Sequence, residues 1–176
     1  MKLYHTGTAE IRMPDIHQGR KNADFGQGFY LTPDAEFAYR WAAAAAIVNE
    51  YELDESSLLI HRFSRDEGWF RYIFQNRRAR DGLSADVIVG PIANDTIFDT
   101  LGVISSGFLE EKDALKLLMI GPEYTQVAVK SQRAADRLRW IRAEKIAKPD
   151  PGIFKAQQEA YAAALAKTME EILGDN

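Results

Sequence analysis

A scattered set of polar side chains carries the chemistry this chain can offer. Tyr4 and His5 stand near the start, and Arg20, Asn22 and Asp24 lie close together after them. Tyr30 comes just beyond, Asn94 and Asp95 form a pair, and Gln126 follows late in the chain. Imidazole, amide and carboxylate groups bind hydroxyls, a phenol ring stacks on flat heterocycles, and an arginine grips phosphate as a bidentate donor.

Several other chemistries are excluded. The chain has no cysteine, which removes thiol nucleophiles, disulfides and zinc–thiolate sites. Its histidines, His5, His17 and His61, have no partner at ligand spacing, so the sequence points to no metal. Neither G-x-x-x-x-G-K-S/T nor G-x-S-x-G occurs. In "GQGFY" a third glycine is missing and the stretch opens a strand, so it is not a dinucleotide fingerprint of the Rossmann kind.

These side chains need a scaffold. The 176 residues are 46% hydrophobic and 27% charged, enough for one domain with a core of its own. A net charge of −4 gives no general hold on nucleic acid. "MKLYHTGT" lacks the apolar stretch of a signal peptide, and no apolar run reaches the roughly 20 residues that span a bilayer. The expectation is a soluble, cytoplasmic protein without a membrane partner.

"KLYH" reads as a strand entering the turn "TGT", and residues 9 to 27 as a long ordered loop, a length that tends to be functional. "GFYLT" is the next strand. Ahead of it, Gly26 and Gly28 either shape a turn or let something approach the backbone. "PDAEFAYRWAAAAAIVNEY" is expected to be one helix, capped by Thr32, with Phe37, Trp41 and Ala45 on its apolar face. "SLLIHRF" reads as a strand, and "DEGWFRYIFQNRRAR" as a helix whose arginines face solvent. The near-continuous apolar run "ADVIVG" suits a central strand. Asn94 and Asp95 follow in a loop, where their side chains bond backbone or ligand.

"EEKDALKLLM" then reads as a helix, "YTQVAVK" as a strand, and "SQRAADRLRWIRAEK" as a helix capped by Ser131. After a break at "KPDPG" comes a last helix with Phe154, Tyr161, Leu165, Met169 and Ile172 as its apolar stripe. The picture is mixed α and β, with at least five short strands separated by helices. Residues 1–145 form the main domain and 146–176 a helical extension.

Four segments in order, "KLYHTGT", "DFGQGFYLT", "ADVIVGPIAND" and "TQVAVKSQRAADRL", resemble a bacterial family of uncharacterised domains grouped with the ADP-ribosyltransferase superfamily. Members of that family are often encoded beside a small partner in toxin–antitoxin arrangements. The resemblance covers roughly residues 2–140. It implies an α+β fold of two small, mostly antiparallel sheets around an NAD cleft, with flanking helices. It also implies cleavage of NAD+ between nicotinamide and ribose, with transfer of ADP-ribose to a protein or nucleic-acid acceptor.

The diphtheria-toxin-like branch is known by a His, Tyr, Glu set on three strands. His5 matches the first position, with Tyr4 beside it and the backbone of Thr6 and Gly7 placed to hold the carboxamide. Tyr30 matches the second, its ring stacking on nicotinamide while Gly26 and Gly28 let the chain pass close to the dinucleotide. The resemblance further implies that Arg20, Asn22, Asp24, Asn94 and Asp95 contact NAD+.

The third position falls on Gln126, a departure that keeps the hydrogen-bonding shape and loses the charge that would steady an oxocarbenium-like centre. Glu123, three residues earlier, supplies that charge if its loop folds back. A second departure is Thr6, where the superfamily has Gly directly after His. Two other classes stay open: a non-catalytic module that binds NAD or ADP-ribose, and an interaction protein that meets a partner, such as an antitoxin, through its last helix.

Overall fold

The structure, a computed structural model, describes residues 1–40, 46–77, 81–93, 111–147 and 151–174. It is an α+β fold with two small sheets. The first has the order β1–β3–β7, from Lys2–Gly7, Ala46–Leu53 and Leu138–Ile146, and is antiparallel throughout. The second joins β2 (Phe29–Leu31), β6 (Thr125–Val129), β5 (Val87–Pro91) and β4 (Ile60–Arg62) in that order. Only its β4–β5 pair is parallel. An isolated bridge, Tyr4 to Thr32, stitches β1 to the end of β2.

Alternation along the second sheet explains why its sequence reads as apolar runs. Val87, Val89, Val127 and Val129 face a core shared with Leu3, Tyr51 and Leu53 of the first sheet. Ile88 and Ala128 point the other way, onto Phe25, Trp69, Phe70 and Ile73. Both faces of β5 and β6 are therefore buried, as the continuous hydrophobicity of "ADVIVG" requires. Helix α2 (Glu67–Asn76) covers the outer face. Its N-terminus is capped by Asp66, which accepts from the Trp69 N–H at 3.0 Å.

Three expected helical features are corrected. Helix α1 is short, Ala35–Arg40, and Asp34 rather than Thr32 caps it by accepting from the Phe37 N–H at 3.0 Å. Trp41 and Ala45 lie outside the described residues. The following "AIVNEYEL" is strand β3. Likewise "SQRAADRLRWIRAEK" gives only a short helix α4 (Gln132–Ala135), capped by Ser131 as expected, before it becomes β7. Both strands hold their place through partners far away in sequence: Glu50 pairs with Lys2 of β1 at 2.8 Å and with Arg142 of β7 at 2.9 Å, and Glu52 pairs with Arg139. Opposite charges across a ladder favour this register.

The long loop before β2 is tied down from the first sheet. Fully buried Asn49 donates to the Ala9 carbonyl and accepts from the Ile11 N–H, both at 2.9 Å, while the Tyr51 hydroxyl donates to the Ile11 carbonyl at 2.6 Å. Helix α3 (Glu111–Leu118) buries Leu117 against Ile172 of the last helix, α5 (Pro151–Gly174), with Leu165 and Met169 beside them. No helix among the described residues is long and apolar enough to cross a membrane.

Candidate functional site

A cavity of about 330 Å³ opens where the two sheets approach each other. Strand β1 contributes Tyr4, His5 and Thr6, β2 contributes Tyr30 and Leu31, and β6 contributes Gln126. The loop ahead of β2 adds Arg20, Asn22 and Asp24, and α1 adds Phe37 and Ala38. Three separate strands and one loop therefore bring most of the expected polar residues to one place.

His5 is fixed by two contacts. Its ring stacks on Phe29 at 4.4 Å, and Nδ1 lies 2.7 Å from the Tyr30 carbonyl. A carbonyl only accepts, so Nδ1 carries the proton and Nε2 keeps its lone pair. Burial lowers the imidazole pKa, against the smaller opposing pull of that hydrogen bond. His5 is thus a neutral acceptor through Nε2. Gly7 does not line the cavity; a Cβ there would lie 3.1 Å from His5 Nε2, so its bareness keeps that edge of the ring uncovered.

Tyr30 lines the cavity, while its hydroxyl is committed elsewhere. The hydroxyl donates to the Gly26 carbonyl at 2.7 Å and accepts from the Phe25 N–H at 2.9 Å. Burial raises its pKa well above the usual phenol value. The phenol therefore pins the loop that its own strand follows.

Asp24 is the carboxylate of the site, and each of its oxygens accepts two hydrogen bonds from protein groups. Oδ1 accepts from Arg77 Nε at 2.9 Å and Nη2 at 2.6 Å; Oδ2 accepts from the Ala93 N–H at 3.0 Å and from Gln126 Nε2 at 2.8 Å. The side chains of Asp24 and Arg77 are 10% and 8% exposed, which makes this a buried, bidentate ion pair. Asn76 Nδ2 holds the Asp24 carbonyl at 3.1 Å. In sequence Arg77 reads as one of a solvated row in "FQNRRAR". Its position one residue past α2 turns it inward, onto the loop.

The remaining expected residues divide cleanly. Thr6 donates from Oγ1 to the Ala38 carbonyl at 2.5 Å, closing the wall between β1 and α1. Arg20 and Asn22 are exposed lining residues at the mouth of the cavity's loop side. Asn94 and Asp95 fall outside the described residues. Glu123 is exposed and absent from the lining, and its charge acts on Arg65, so the carboxylate in the cavity is Asp24 instead.

Neither Gly26 nor Gly28 lines the cavity. Gly26 has φ +74°, and a Cβ there would strike Asp81 at 2.7 Å. At Gly28 a Cβ would come within 2.7 Å of the Val129 carbonyl on the paired strand. These glycines allow close packing of the loop on β6 and the residues beside it, the turn-shaping alternative of the two read from the sequence.

Residues 1–140 match the family described as "Protein of unknown function (DUF3990)". The chain belongs to this family. The matched span contains every described cavity-lining residue, and it ends within β7, ahead of α5. No curated protein and no solved structure matches the chain.

Proposed function

We propose that this protein is a mono-ADP-ribosyltransferase that takes ADP-ribose from NAD+, acting in the cytoplasm as the toxin of a bacterial toxin–antitoxin pair. The observation that carries this reading is the convergence of His5, Tyr30 and Gln126, from three strands, on one cavity between two small sheets. A volume of about 330 Å³ is at the small end of the usual range for ligand sites. It suits the nicotinamide–ribose half of the dinucleotide, with the adenosine half extending past Arg20 and Asn22.

In this reading the nicotinamide ring stacks on Tyr30, and Thr6 with the neighbouring backbone meets the carboxamide. Neutral His5 accepts a ribose hydroxyl at Nε2, and Gln126 accepts another through its side-chain carbonyl. The C1′–N bond breaks with its electron pair leaving on nicotinamide. A lone pair of the acceptor then forms the new bond at C1′, and the acceptor's proton passes to solvent. Arg20 is placed to meet the phosphates.

One observation favours a second reading. The only carboxylate among the described lining residues, Asp24, is saturated by Arg77, Ala93 and Gln126, which suits a module that binds NAD or ADP-ribose without chemistry. Calorimetry with NAD+ and nicotinamide release, with lysate protein and RNA as acceptor pools, separate the two. Release that is lost in His5→Ala and Gln126→Ala supports the transferase. Binding without release in either acceptor pool supports the module, and absence of NAD+ binding overturns both.

A further inference from the structure

Gln126 is 8% exposed and both its amide hydrogens are committed: Nε2 donates to Asp24 Oδ2 at 2.8 Å and to the Pro91 carbonyl at 3.1 Å. Neither neighbour can donate, so the nitrogen must face them, and the orientation of the amide follows from chemistry rather than shape. Oε1 is left as the atom that Gln126 offers to the cavity it lines. Asp24 cannot turn away, because Arg77 grips one oxygen twice and the Ala93 N–H grips the other.

We propose that Asp24 is a positioning residue: clamped by Arg77 and the Ala93 amide, it holds the Gln126 amide with Oε1 toward the cavity and so makes position 126 a neutral acceptor for a ligand hydroxyl. That the hydroxyl belongs to the ribose of NAD+ rests on the transferase reading; the clamp itself does not.

The clamp has a consequence that runs against simple expectation. A carboxylate at position 126 would be the stronger partner for a cationic centre, yet here it would meet the Asp24 carboxylate and the Pro91 carbonyl at hydrogen-bond distance. Such a pair cannot carry two negative charges at that separation and has to share a proton. The other charged or titratable groups lining the cavity do not relieve it. Arg77 is held on Asp24 Oδ1, His5 is neutral, the Tyr4 phenol carries no positive charge, the Tyr30 hydroxyl is bonded to the loop, and Arg20 is exposed.

The test compares thermal midpoints at pH 5 and pH 8 for the wild type, Gln126→Glu, Asp24→Asn and the double variant. The folded Gln126→Glu protein keeps a proton that its unfolded chain loses above about pH 4.3, so its stability relative to wild type falls as the pH rises. A raised carboxyl pKa of about two units lowers the midpoint by about 5 °C more at pH 8 than at pH 5. The double variant loses most of that pH dependence, since position 24 no longer carries a negative charge to oppose the new carboxylate. A pH-independent difference in Gln126→Glu, or one unchanged by Asp24→Asn, overturns the clamp.

A ligand arm uses NAD+ and calorimetry. Loss of one well-placed hydrogen bond should weaken NAD+ binding about tenfold in Asp24→Asn, because an amide in place of the carboxylate lets the Gln126 amide turn over. Equal binding in that variant overturns the positioning role. If the wild type does not bind NAD+, the transferase reading fails while the stability arm still decides the clamp. If Asp24→Asn does not fold, the pH dependence of Gln126→Glu alone decides it.

Discussion

Substituting Tyr30 by phenylalanine separates the two things its side chain does. The ring stays against the cavity and the packing is nearly isosteric, but the hydroxyl that bonds the Gly26 carbonyl and the Phe25 N–H is gone. Phe25 is 0% exposed, so its N–H has little access to water. Stranding a buried donor and acceptor costs about 1–3 kcal/mol each, and partial relaxation of the loop brings the expected total to about 2 kcal/mol. For a chain of this size that lowers the thermal midpoint by about 6 °C. Urea melts should show the loss as a lower midpoint with an unchanged slope. NAD+ affinity of the folded Tyr30→Phe protein should stay within about threefold of wild type, since no lost bond faces the cavity. Tyr30→Ala, which removes the ring, should lose both stability and binding. A Tyr30→Phe protein with a wild-type midpoint and abolished binding would refute the reasoning, because the hydroxyl would then act on the ligand and not on the loop.

Nicotinamide release should stay flat as the pH falls through about 6.5, because burial keeps His5 neutral below its ordinary value; a decline centred at the ordinary value would show an exposed imidazole. The same burial makes the fold lose stability below that pH, as the unfolded chain takes up a proton the folded one refuses. Asp86 is held down to about 2 from an ordinary 3.8, chiefly by Arg133, with Ser131 and the Leu59 N–H also donating. Asp86→Asn should therefore lower the midpoint at pH 7, and the deficit should shrink as the pH falls from 3.8 toward 2; a deficit constant across that window would contradict the pairing. Gly28→Ala forces a methyl against the Val129 carbonyl and should cost about 1–3 kcal/mol in denaturant melts, with NAD+ affinity per folded molecule unchanged.

Strands buried on both faces or pinned by turns were legible in the sequence, and strands held by distant charges were not. "ADVIVG" and "YTQVAVK" announce β5 and β6 because both faces are apolar. "AIVNEYEL" followed an alanine-rich run, and alanine favours helix strongly enough to carry a helical reading through it. What overrides that propensity is Glu50 between Lys2 and Arg142, and Tyr51 reaching Ile11. None of these partners is close in sequence. The same holds for β7, whose alternation of outward Arg139 and Ile141 with inward Leu138 and Trp140 is broken by a bulge opposite Glu50 and Tyr51 and diluted by further charge beyond it.

The site was legible in its outline and not in its wiring. His5, Tyr30 and Gln126 have side-chain types that bind and stack, and the structure brings them together. Asp24, however, reads in sequence as a ligand contact, and Arg77 as a surface charge, because nothing local distinguishes a solvated arginine from one folded inward. Their meeting depends on a loop of the first sheet's making, anchored by Asn49, reaching the C-terminal end of α2. Once they meet, the carboxylate within the cavity is Asp24, while Glu123 lies outside its lining. The buried pair neutralises itself, turns the Gln126 amide, and leaves two uncharged acceptors, His5 Nε2 and Gln126 Oε1, along the cavity wall. Two neutral acceptors in a partly buried cavity select a ligand by its hydroxyls, so the glutamine reads as part of a matched pair with Asp24 rather than as a defective glutamate.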